Sequence, residues 1–192
     1  RRYRVFVNPS SFKGDLGYYL VRKSGFKKKD RLVVGFVKDG VTVIEAALFS
    51  SGTQVNQIDL SRFPRFKEPK IAPTKIYGFD ESMMNLRAAR KNAQIAGVKE
   101  FVDLSKFSLD ELDVRFSEGE VDRLIFQITK KDEDQINEIY HQASYILRKK
   151  GTLLLVGRKN WEVTVSSKFK LISEEEIVRG DSCLNLWLME KK

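Results

Sequence analysis

The sequence predicts an α/β fold, with a mostly parallel sheet, helices on both faces and a C-terminal antiparallel hairpin. Beyond residue 30, short apolar segments alternate with helical patterns, as in successive βαβ units. Near the C-terminus, two strand-like segments flank Gly180 and Asp181, a pair that is typical of a hairpin turn. The 192 residues are 42% hydrophobic and 32% charged, which suits one soluble domain with a full core.

Short apolar segments rich in β-forming residues predict the parallel strands, because a strand that is buried on both faces carries mostly hydrophobic residues. The predicted parallel strands are residues 32–37, 75–80, 98–104, 121–128 and 152–157, and the hairpin strands are 168–179 and 183–190. Between the first two strands, 41–50 predicts a short apolar helix. Three prolines then predict an irregular connection over 51–74.

Two further helices follow from composition and from the chemistry of their ends. Residues 81–96 are rich in Ala and long straight side chains, and Gly97 follows as the expected stop. The last helix begins with the acids at 132–134, which a helix N-terminus favours, and its apolar residues recur at helical spacing. Lys149, Lys150 and Gly151 predict its end.

The basic charge is concentrated in the first two-fifths of the chain. Residues 1–75 contain 16 Lys and Arg but only 6 Asp and Glu, whereas the remainder contains 19 and 20. Basic clusters attract phosphates, and two of them are candidate phosphate-binding sets. These are Lys27, Lys28 and Lys29 in the first cluster, and Arg62 and Arg65 in the second. A solvated basic face is the alternative interpretation.

Residue counts disfavour several classes of function. Cys183 is the only cysteine, which excludes an internal disulfide and a cysteine zinc site and suits the reducing cytoplasm. His141 is the only histidine, and its setting in a helical pattern predicts a structural or surface role rather than a catalytic triad. No apolar run approaches the roughly 18 residues of a membrane span. We therefore expect neither a metal site nor a membrane partner.

Two stretches resemble the motifs of a known family, the THUMP-associated RNA methyltransferases. Residues 30–48 read D-R-L-V-V-G-F-V-K-D-G-V-T-V-I-E-A-A-L, similar to the family's first motif, L-L-D-P-x-C-G-S-G-T-x-x-I-E-A-A-L. Residues 76–98 read I-Y-G-F-D-E-S-M-M-N-L-R-A-A-R-K-N-A-Q-I-A-G-V, similar to its second motif, and 8–26 resemble its lead-in helix. The resemblance covers nearly the whole chain. It implies a Rossmann-like class I methyltransferase fold with a seven-stranded sheet.

The resemblance also implies a substrate and a domain organisation. The family methylates N2 of guanosine in tRNA or ribosomal RNA and uses S-adenosylmethionine, so RNA is the expected partner. We expect a lead-in segment over residues 1–30 and a methyltransferase-like domain over 31–192. An RNA-binding THUMP domain precedes this domain in the family, and we expect one in a longer form of this protein. The basic clusters above then become candidate RNA-binding residues.

Five residues are candidates for cofactor binding through the resemblance. Asp80 ends the second predicted strand, where a carboxylate can accept both ribose hydroxyls, although a helix N-cap is the alternative role. Gly40 is the retained glycine of the first motif. Asp39, next to Gly40, and Gly78, in the second predicted strand, are further candidates for cofactor binding. Asp103, in the third strand segment, is a candidate neighbour of the adenine.

Three departures from the family motifs concern the chemistry. Lys38 stands where the first motif has a glycine that lets the backbone approach the cofactor, and Val34 replaces the acid that receives the methionine amino group. Lys38 is able to meet the cofactor carboxylate but would crowd the loop. The fourth motif, usually N-P-P-Y, aligns with residues 127–130. Gln127 is therefore the candidate catalytic residue, with an amide oxygen for the exocyclic amine, and a buried strand-end amide is the alternative. The missing ring removes a stacking contact of roughly 1–3 kcal/mol.

Three functions remain open from the sequence. The first is an S-adenosylmethionine-dependent RNA methyltransferase domain with impaired catalysis. The second is an inactive domain of the same fold that binds RNA or a partner subunit, since the core-forming residues persist while the polar site residues have changed. The third is an enzyme that uses Asp80 and Gly40 for another nucleotide-like ligand. The departures favour impaired or absent catalysis.

Overall fold

The computed structural model describes residues 3–53, 75–128, 132–159, 161–179 and 182–192, and their fold confirms the predicted class. One seven-stranded sheet has the order β3-β2-β1-β4-β5-β7-β6. Its strands are β1 (Leu32–Gly35), β2 (Ile76–Phe79), β3 (Val102–Ser105), β4 (Val121–Gln127), β5 (Leu147–Arg158), β6 (Phe169–Arg179) and β7 (Ser182–Lys191). The helices are α1 (Gly14–Lys23), α2 (Val41–Ser51), α3 (Met83–Ile95), α4 (Leu112–Arg115) and α5 (Glu133–Ile146).

Strands β1 to β5 run parallel, and β7 pairs antiparallel with both β5 and β6. The sheet therefore has a carboxyl edge, where β1 to β5 end, and an amino edge, where they begin. In open α/β sheets, ligands bind outside the carboxyl ends of the strands. Because β6 and β7 are antiparallel to each other, the start of β6 and the end of β7 lie at the amino edge.

Two apolar layers hold the sheet between the helices. On one face, α1, α2 and α3 cover the side chains of Val34, Ile125 and Leu154. On the other face, α4 and α5 cover a second buried cluster that includes Leu124 and Leu155. Alternate residues of each central strand thus enter different layers, and this explains why these strands read as continuous apolar runs.

Several element boundaries differ from the predictions. Strand β1 ends at Gly35 instead of Val37, because Phe36 (φ 55°) and Lys38 (φ 53°) adopt left-handed backbone conformations that leave the strand. The predicted end of the last helix at Lys149–Gly151 is wrong. Helix α5 ends at Ile146, and Leu147 pairs with Val121 before the register shifts to the pair of Arg123 and Thr152. Lys149 and Lys150 therefore belong to an irregular start of β5.

The third predicted strand is shorter than the apolar run that predicted it. Residues Lys99–Phe101 form a turn of 3-10 helix, and β3 begins only at Val102. Among the residues that the structure describes, no helix is long and apolar enough to cross a bilayer. Within the same residues, no group of three or more His, Cys, Asp or Glu side chains is arranged to bind a metal ion.

Candidate active site at the carboxyl edge

The loop after β1 makes a tight turn at the carboxyl edge and leads into α2. Gly40 has φ 86°, and a Cβ there would lie 2.8 Å from Ala89 Cβ on α3. This glycine is therefore required twice, for its left-handed backbone and for the close approach of α3. Lys38 has φ 53° in the same loop, although lysine has a Cβ and pays a steric cost there.

The Lys38 side chain is folded over the loop and is only 6% exposed. Its ammonium donates to the carbonyl of Ser10 at 2.8 Å, and its backbone N–H donates to Asp80 Oδ2 at 3.0 Å. Burial lowers the pKa of Lys38 to about 8, against the opposing effects of the Asp80 and Asp39 carboxylates. The lysine thus lies over the backbone that, with glycine at this position, would be open to a ligand.

Asp39 is fully buried and faces the lead-in segment. Its Oδ2 accepts from Arg4 Nε at 2.8 Å and from the Asn8 backbone N–H at 3.1 Å, and its Oδ1 accepts from the Ser11 hydroxyl. All of these donors belong to residues that precede α1. The carboxylate that the motif alignment places beside Gly40 is consequently used to hold residues 4–11 against the carboxyl edge.

Asp80 directly follows β2 and is 6% exposed. Its Oδ1 accepts from the Ser82 N–H at 2.9 Å and from the Asn85 side-chain amide at 3.0 Å, and its Oδ2 accepts from Lys38. The N-cap of α3 is Ser82, whose hydroxyl accepts from the Asn85 N–H. Asp80 therefore connects the loop after β1 with the first turn of α3. Three of the roughly four acceptor sites of a carboxylate are used.

Gly78 and Asp103 lie on opposite faces of the sheet. A Cβ on Gly78 would meet the side chains of Val37, Leu104 and Val43 at 2.7–2.9 Å, so this glycine allows side chains to pack over β2. Asp103 accepts from the Ser105 hydroxyl at 3.1 Å. It lines a separate cavity of about 180 Å³, together with the rings of Tyr77, Phe107 and Phe116.

Gln127 ends β4 beside a cavity of about 430 Å³. Its side-chain nitrogen donates to the Ser10 carbonyl at 3.0 Å, the same oxygen that accepts from Lys38. With the nitrogen engaged, the amide oxygen is the group that remains for a ligand donor. The lining residues come from the lead-in segment, the ends of β4 and β5, and the hairpin: Pro9, Ser10, Ser11, Phe12, Lys13, Leu16, Gln127, Ile128, Val156, Gly157, Arg158, Ile177 and Leu184.

The sequence analysis missed the residues that fasten the lead-in segment, above all Asn92. This side chain is fully buried on α3, accepts from the Val5 and Phe6 N–H groups and donates to the carbonyls of Phe6 and Asp39. Tyr3 is also fully buried, and its hydroxyl donates to Glu45 at 2.7 Å. An Asn at a buried position of an Ala-rich helix was the one signal in the sequence, because buried amides need partners.

The predicted RNA-binding residues are not brought to the site. Lys27, Lys28 and Lys29 precede β1 and hence lie at the amino edge, opposite Gln127 and Asp80. Arg62 and Arg65 lie outside the described residues. His141 is exposed on α5, in agreement with a surface role, and Cys183 is half-buried on β7. Burial and the neighbouring Glu176 raise the pKa of the Cys183 thiol.

Solved structures with the same fold include TrmN, an RNA methyltransferase and an rRNA methylase. TrmN from Thermus thermophilus is 17% identical with a TM-score of 0.78; the match covers 100% of this chain and 53% of TrmN, so the chain spans about half of its length. An RNA methyltransferase from Salinibacter ruber, solved with S-adenosyl-L-homocysteine, is 14% identical with a TM-score of 0.61, and 93% of this chain and 92% of that protein are covered. An rRNA methylase from Streptococcus thermophilus is 12% identical with a TM-score of 0.62, and 96% of this chain and 99% of that protein are covered.

Among curated proteins, none matches this chain. A family model does match: the UPF0020 family, whose description reads RMKL-like, methyltransferase domain, aligns with residues 1–171. That match includes the lead-in segment, both motif regions and Gln127, but not Ile177 and Leu184, which line the cavity from the hairpin. The chain belongs to this family of methyltransferase domains.

Proposed function

We propose that this chain is an S-adenosylmethionine-dependent RNA methyltransferase domain whose methyl transfer is impaired. Membership of a methyltransferase family and the RNA methyltransferases of the same fold support the reaction class. The observation that carries the impairment is the Lys38 side chain, which is folded over the loop after β1 and bonded to Ser10. The proposed substrate is N2 of guanosine in tRNA or ribosomal RNA.

The carboxyl edge fits S-adenosylmethionine only in part. At the ribose end, Asp80 keeps about one acceptor site, enough for one hydroxyl. At the methionine end, Val34 is buried and offers no acceptor for the amino group. The Lys38 ammonium already donates one of its three N–H groups to Ser10, and the others remain for the cofactor carboxylate. When bound, the cofactor supplies a methyl group on a positively charged sulfur.

The nucleotide side of the proposed site is the 430 Å³ cavity. Because the Gln127 nitrogen is held by the Ser10 carbonyl, the Gln127 oxygen is oriented to accept from the exocyclic amine of guanine. Lys13 and Arg158 add positive charge to the lining, which suits the phosphates on either side of the base. The fourth-motif residues 127–130 include no aromatic side chain, and Phe12, the aromatic residue of the lining, is only 8% exposed, so we expect a flipped base to be held weakly.

Calorimetry with S-adenosylhomocysteine tests the cofactor part of the proposal. We expect weak binding by the native chain and about tenfold tighter binding by Lys38→Gly, a gain of about 1.4 kcal/mol. Lys38→Ala is the matched control: it removes the same ammonium but keeps a Cβ in the left-handed loop. Equal affinities for the native chain and Lys38→Gly would show that Lys38 does not obstruct the cofactor.

Transfer of a labelled methyl group from S-adenosylmethionine tests the reaction and the substrate. We expect slow transfer to a tRNA or ribosomal RNA transcript that contains guanosine, and none to the same transcript with inosine, which lacks the exocyclic amine. Lys38→Gly should increase the rate. If the native chain turns over at roughly 10 s⁻¹, the rate of a typical enzyme, its methyl transfer is not impaired.

The second candidate function is an inactive RNA-binding or partner-binding domain. The bonds from Asp39 to Arg4, Asn8 and Ser11 favour it, because they keep the lead-in segment on the edge where a cofactor would enter. If neither the native chain nor Lys38→Gly binds S-adenosylhomocysteine, this candidate replaces the first.

A further inference from the structure

A row of lysines occupies the amino edge of the sheet, on the side opposite the candidate active site. Four chain segments, residues 27–29, 149–150, 168–170 and 192, contribute to it, and the sheet topology brings them together. We call this row the amino-edge basic face. It consists of Lys27, Lys28, Lys29, Lys149, Lys150, Lys168, Lys170 and Lys192.

Hydrogen bonds connect these segments across the edge. Thr152 donates from its hydroxyl to the Ser24 carbonyl at 2.6 Å, which ties the turn before Lys27 to the start of β5. The Lys192 N–H donates to the Lys168 carbonyl at 3.1 Å. The Lys191 ammonium donates to the Leu147 carbonyl at 2.6 Å, which ties the end of β7 to the same part of β5. The lysines are therefore neighbours along one edge.

The lysines of this face keep their charge available. All are exposed except Lys28, which is half-buried, and none takes part in an ion pair within the described part of the chain. Lys168 and Lys192 donate only to neutral oxygens, those of Ser144 and Ser167.

Arginines neutralise most of the acids at this edge. Arg31 pairs with Glu120, Arg123 with Asp30, and Arg148 with Asp122. Glu118 and Glu190 are the nearby carboxylates that lie outside the ion pairs of the described residues. Eight lysines against two such carboxylates give this edge a strong positive potential, which attracts a polyanion.

We propose that the amino-edge basic face binds the phosphate backbone of RNA. The face extends over five strands, β1, β4, β5, β7 and β6, and at about 4.8 Å between strands it is about 19 Å long. This length corresponds to five to six nucleotides of a helical, stacked strand, whose rise along the axis is about 3.4 Å per phosphate. The choice of RNA as the polyanion rests on the proposed function, but the surface is separate from the proposed catalytic site.

The two edges are too far apart to be one contact. Strand β5 runs six residues from Thr152 to Arg158, or about 20 Å at 3.3 Å per residue. An RNA whose target base lies beside Gln127 would have to continue around the domain to reach Lys149. The amino-edge basic face is thus a second contact, which holds a more distant part of the same RNA.

Salt-dependent binding of a fluorescein-labelled 20-nucleotide single-stranded RNA tests the proposal. The first variant removes four exposed lysines from the face: Lys27→Ala, Lys29→Ala, Lys149→Ala and Lys170→Ala. The matched control removes four exposed basic residues that lie outside this face and outside the proposed nucleotide site: Arg87→Ala, Lys91→Ala, Lys106→Ala and Lys159→Ala. Both lose the same net charge, and thermal unfolding checks that both remain folded.

We expect the amino-edge variant to lower the slope of log K against log salt by about 3, since each phosphate contact on a single strand contributes about 0.7. The control should change the slope by less than half as much. The proposal is overturned if the salt slope falls for the control but not for the amino-edge variant, or if it falls for neither variant.

Two further outcomes would contradict the choice of partner. If vesicles with 30% phosphatidylserine bind through this face and the RNA does not, the partner is a membrane. If poly-glutamate binds there and the RNA does not, the partner is an acidic protein. These results are independent of the cofactor titration, so a failure of the catalytic proposal and a failure of this one are distinguishable.

Discussion

Lys38 carries two separate costs at a single position. A left-handed backbone costs a residue with a Cβ roughly 1–2 kcal/mol, and its φ is 53°. Its ammonium is also largely removed from water, which lowers its pKa to about 8. Such a residue persists only where the surrounding structure compensates, here through the Ser10 carbonyl and the Asp80 carboxylate.

The pH dependence of stability follows from the pKa of Lys38. Between pH 8 and pH 10.5 the unfolded chain keeps a proton on Lys38 that the folded chain has lost, so the free energy of unfolding rises with pH in this window. Urea midpoints at pH 7.5 and pH 9.5 measure the effect. The native chain should gain stability relative to Lys38→Met, which lacks the titrating group but keeps the apolar stem.

Comparison with the variant is needed because other groups titrate above pH 9. Burial raises the pKa of Tyr140 to about 12, and this effect is common to both proteins and cancels in the difference. An unchanged difference between native chain and variant at the two pH values would mean that Lys38 retains an ordinary pKa. The burial argument for the loop would then fail.

The lead-in segment acts as a strap across the carboxyl edge because two helices and one strand hold it. Its contacts reach α2 through Glu45, α3 through Asn92 and β4 through Gln127. The Asn92 amide oxygen accepts two hydrogen bonds, and its amide nitrogen donates two. Tyr3 and Phe12 are buried at the two ends of the strap, whereas Val5, Phe6 and Val7 are exposed, so the Asn92 amide holds the stretch between the two apolar anchors.

Asn92→Leu should loosen the strap and destabilise the domain. The substitution keeps the size of the side chain but leaves the buried Asp39 carbonyl without its partner, which costs about 1–3 kcal/mol. Urea unfolding measures the loss, and faster hydrogen exchange at the Val5 and Phe6 amides locates it. Gln94→Leu, exposed on the same helix, is the control and should change stability by less than about 0.5 kcal/mol. Equal effects of both changes would contradict the role of Asn92.

Local pattern predicted most elements, whereas the site depends on contacts between distant residues. The strands were visible as apolar runs, and the hairpin was predicted from its turn. The end of β1 at Gly35 was not predicted. Phe36 and Lys38 are not typical turn residues, and their left-handed backbone conformations depend on tertiary contacts. Asn92 contacts Phe6 from 86 positions away, and no local pattern reports such a contact. By contrast, the position of Lys27 was implied by order alone, since it precedes the first strand.

At the scale of the whole molecule, the two edges of the sheet have different chemistry. The carboxyl edge contains buried and mutually bonded polar groups, among them Lys38, Asp39 and Asp80. The amino edge contains exposed lysines such as Lys149 and Lys170 without ion pairs among the described residues. The rigid strands that separate the edges carry the apolar core of both layers. Binding at one edge should therefore have little effect on the other.

A double-mutant cycle tests this independence. Lys38→Gly changes the carboxyl edge, and the pair Lys149→Ala with Lys170→Ala changes the amino edge, about 20 Å away. Sites more than 7–10 Å apart without shared partners usually give additive effects within about 0.3–0.5 kcal/mol. We expect the combined variant to show the S-adenosylhomocysteine affinity of Lys38→Gly and the RNA affinity of the lysine pair, each measured by calorimetry. An interaction energy above about 1 kcal/mol would mean that the sheet transmits a conformational change between its edges, and the lead-in strap would then be the first element to examine by hydrogen exchange.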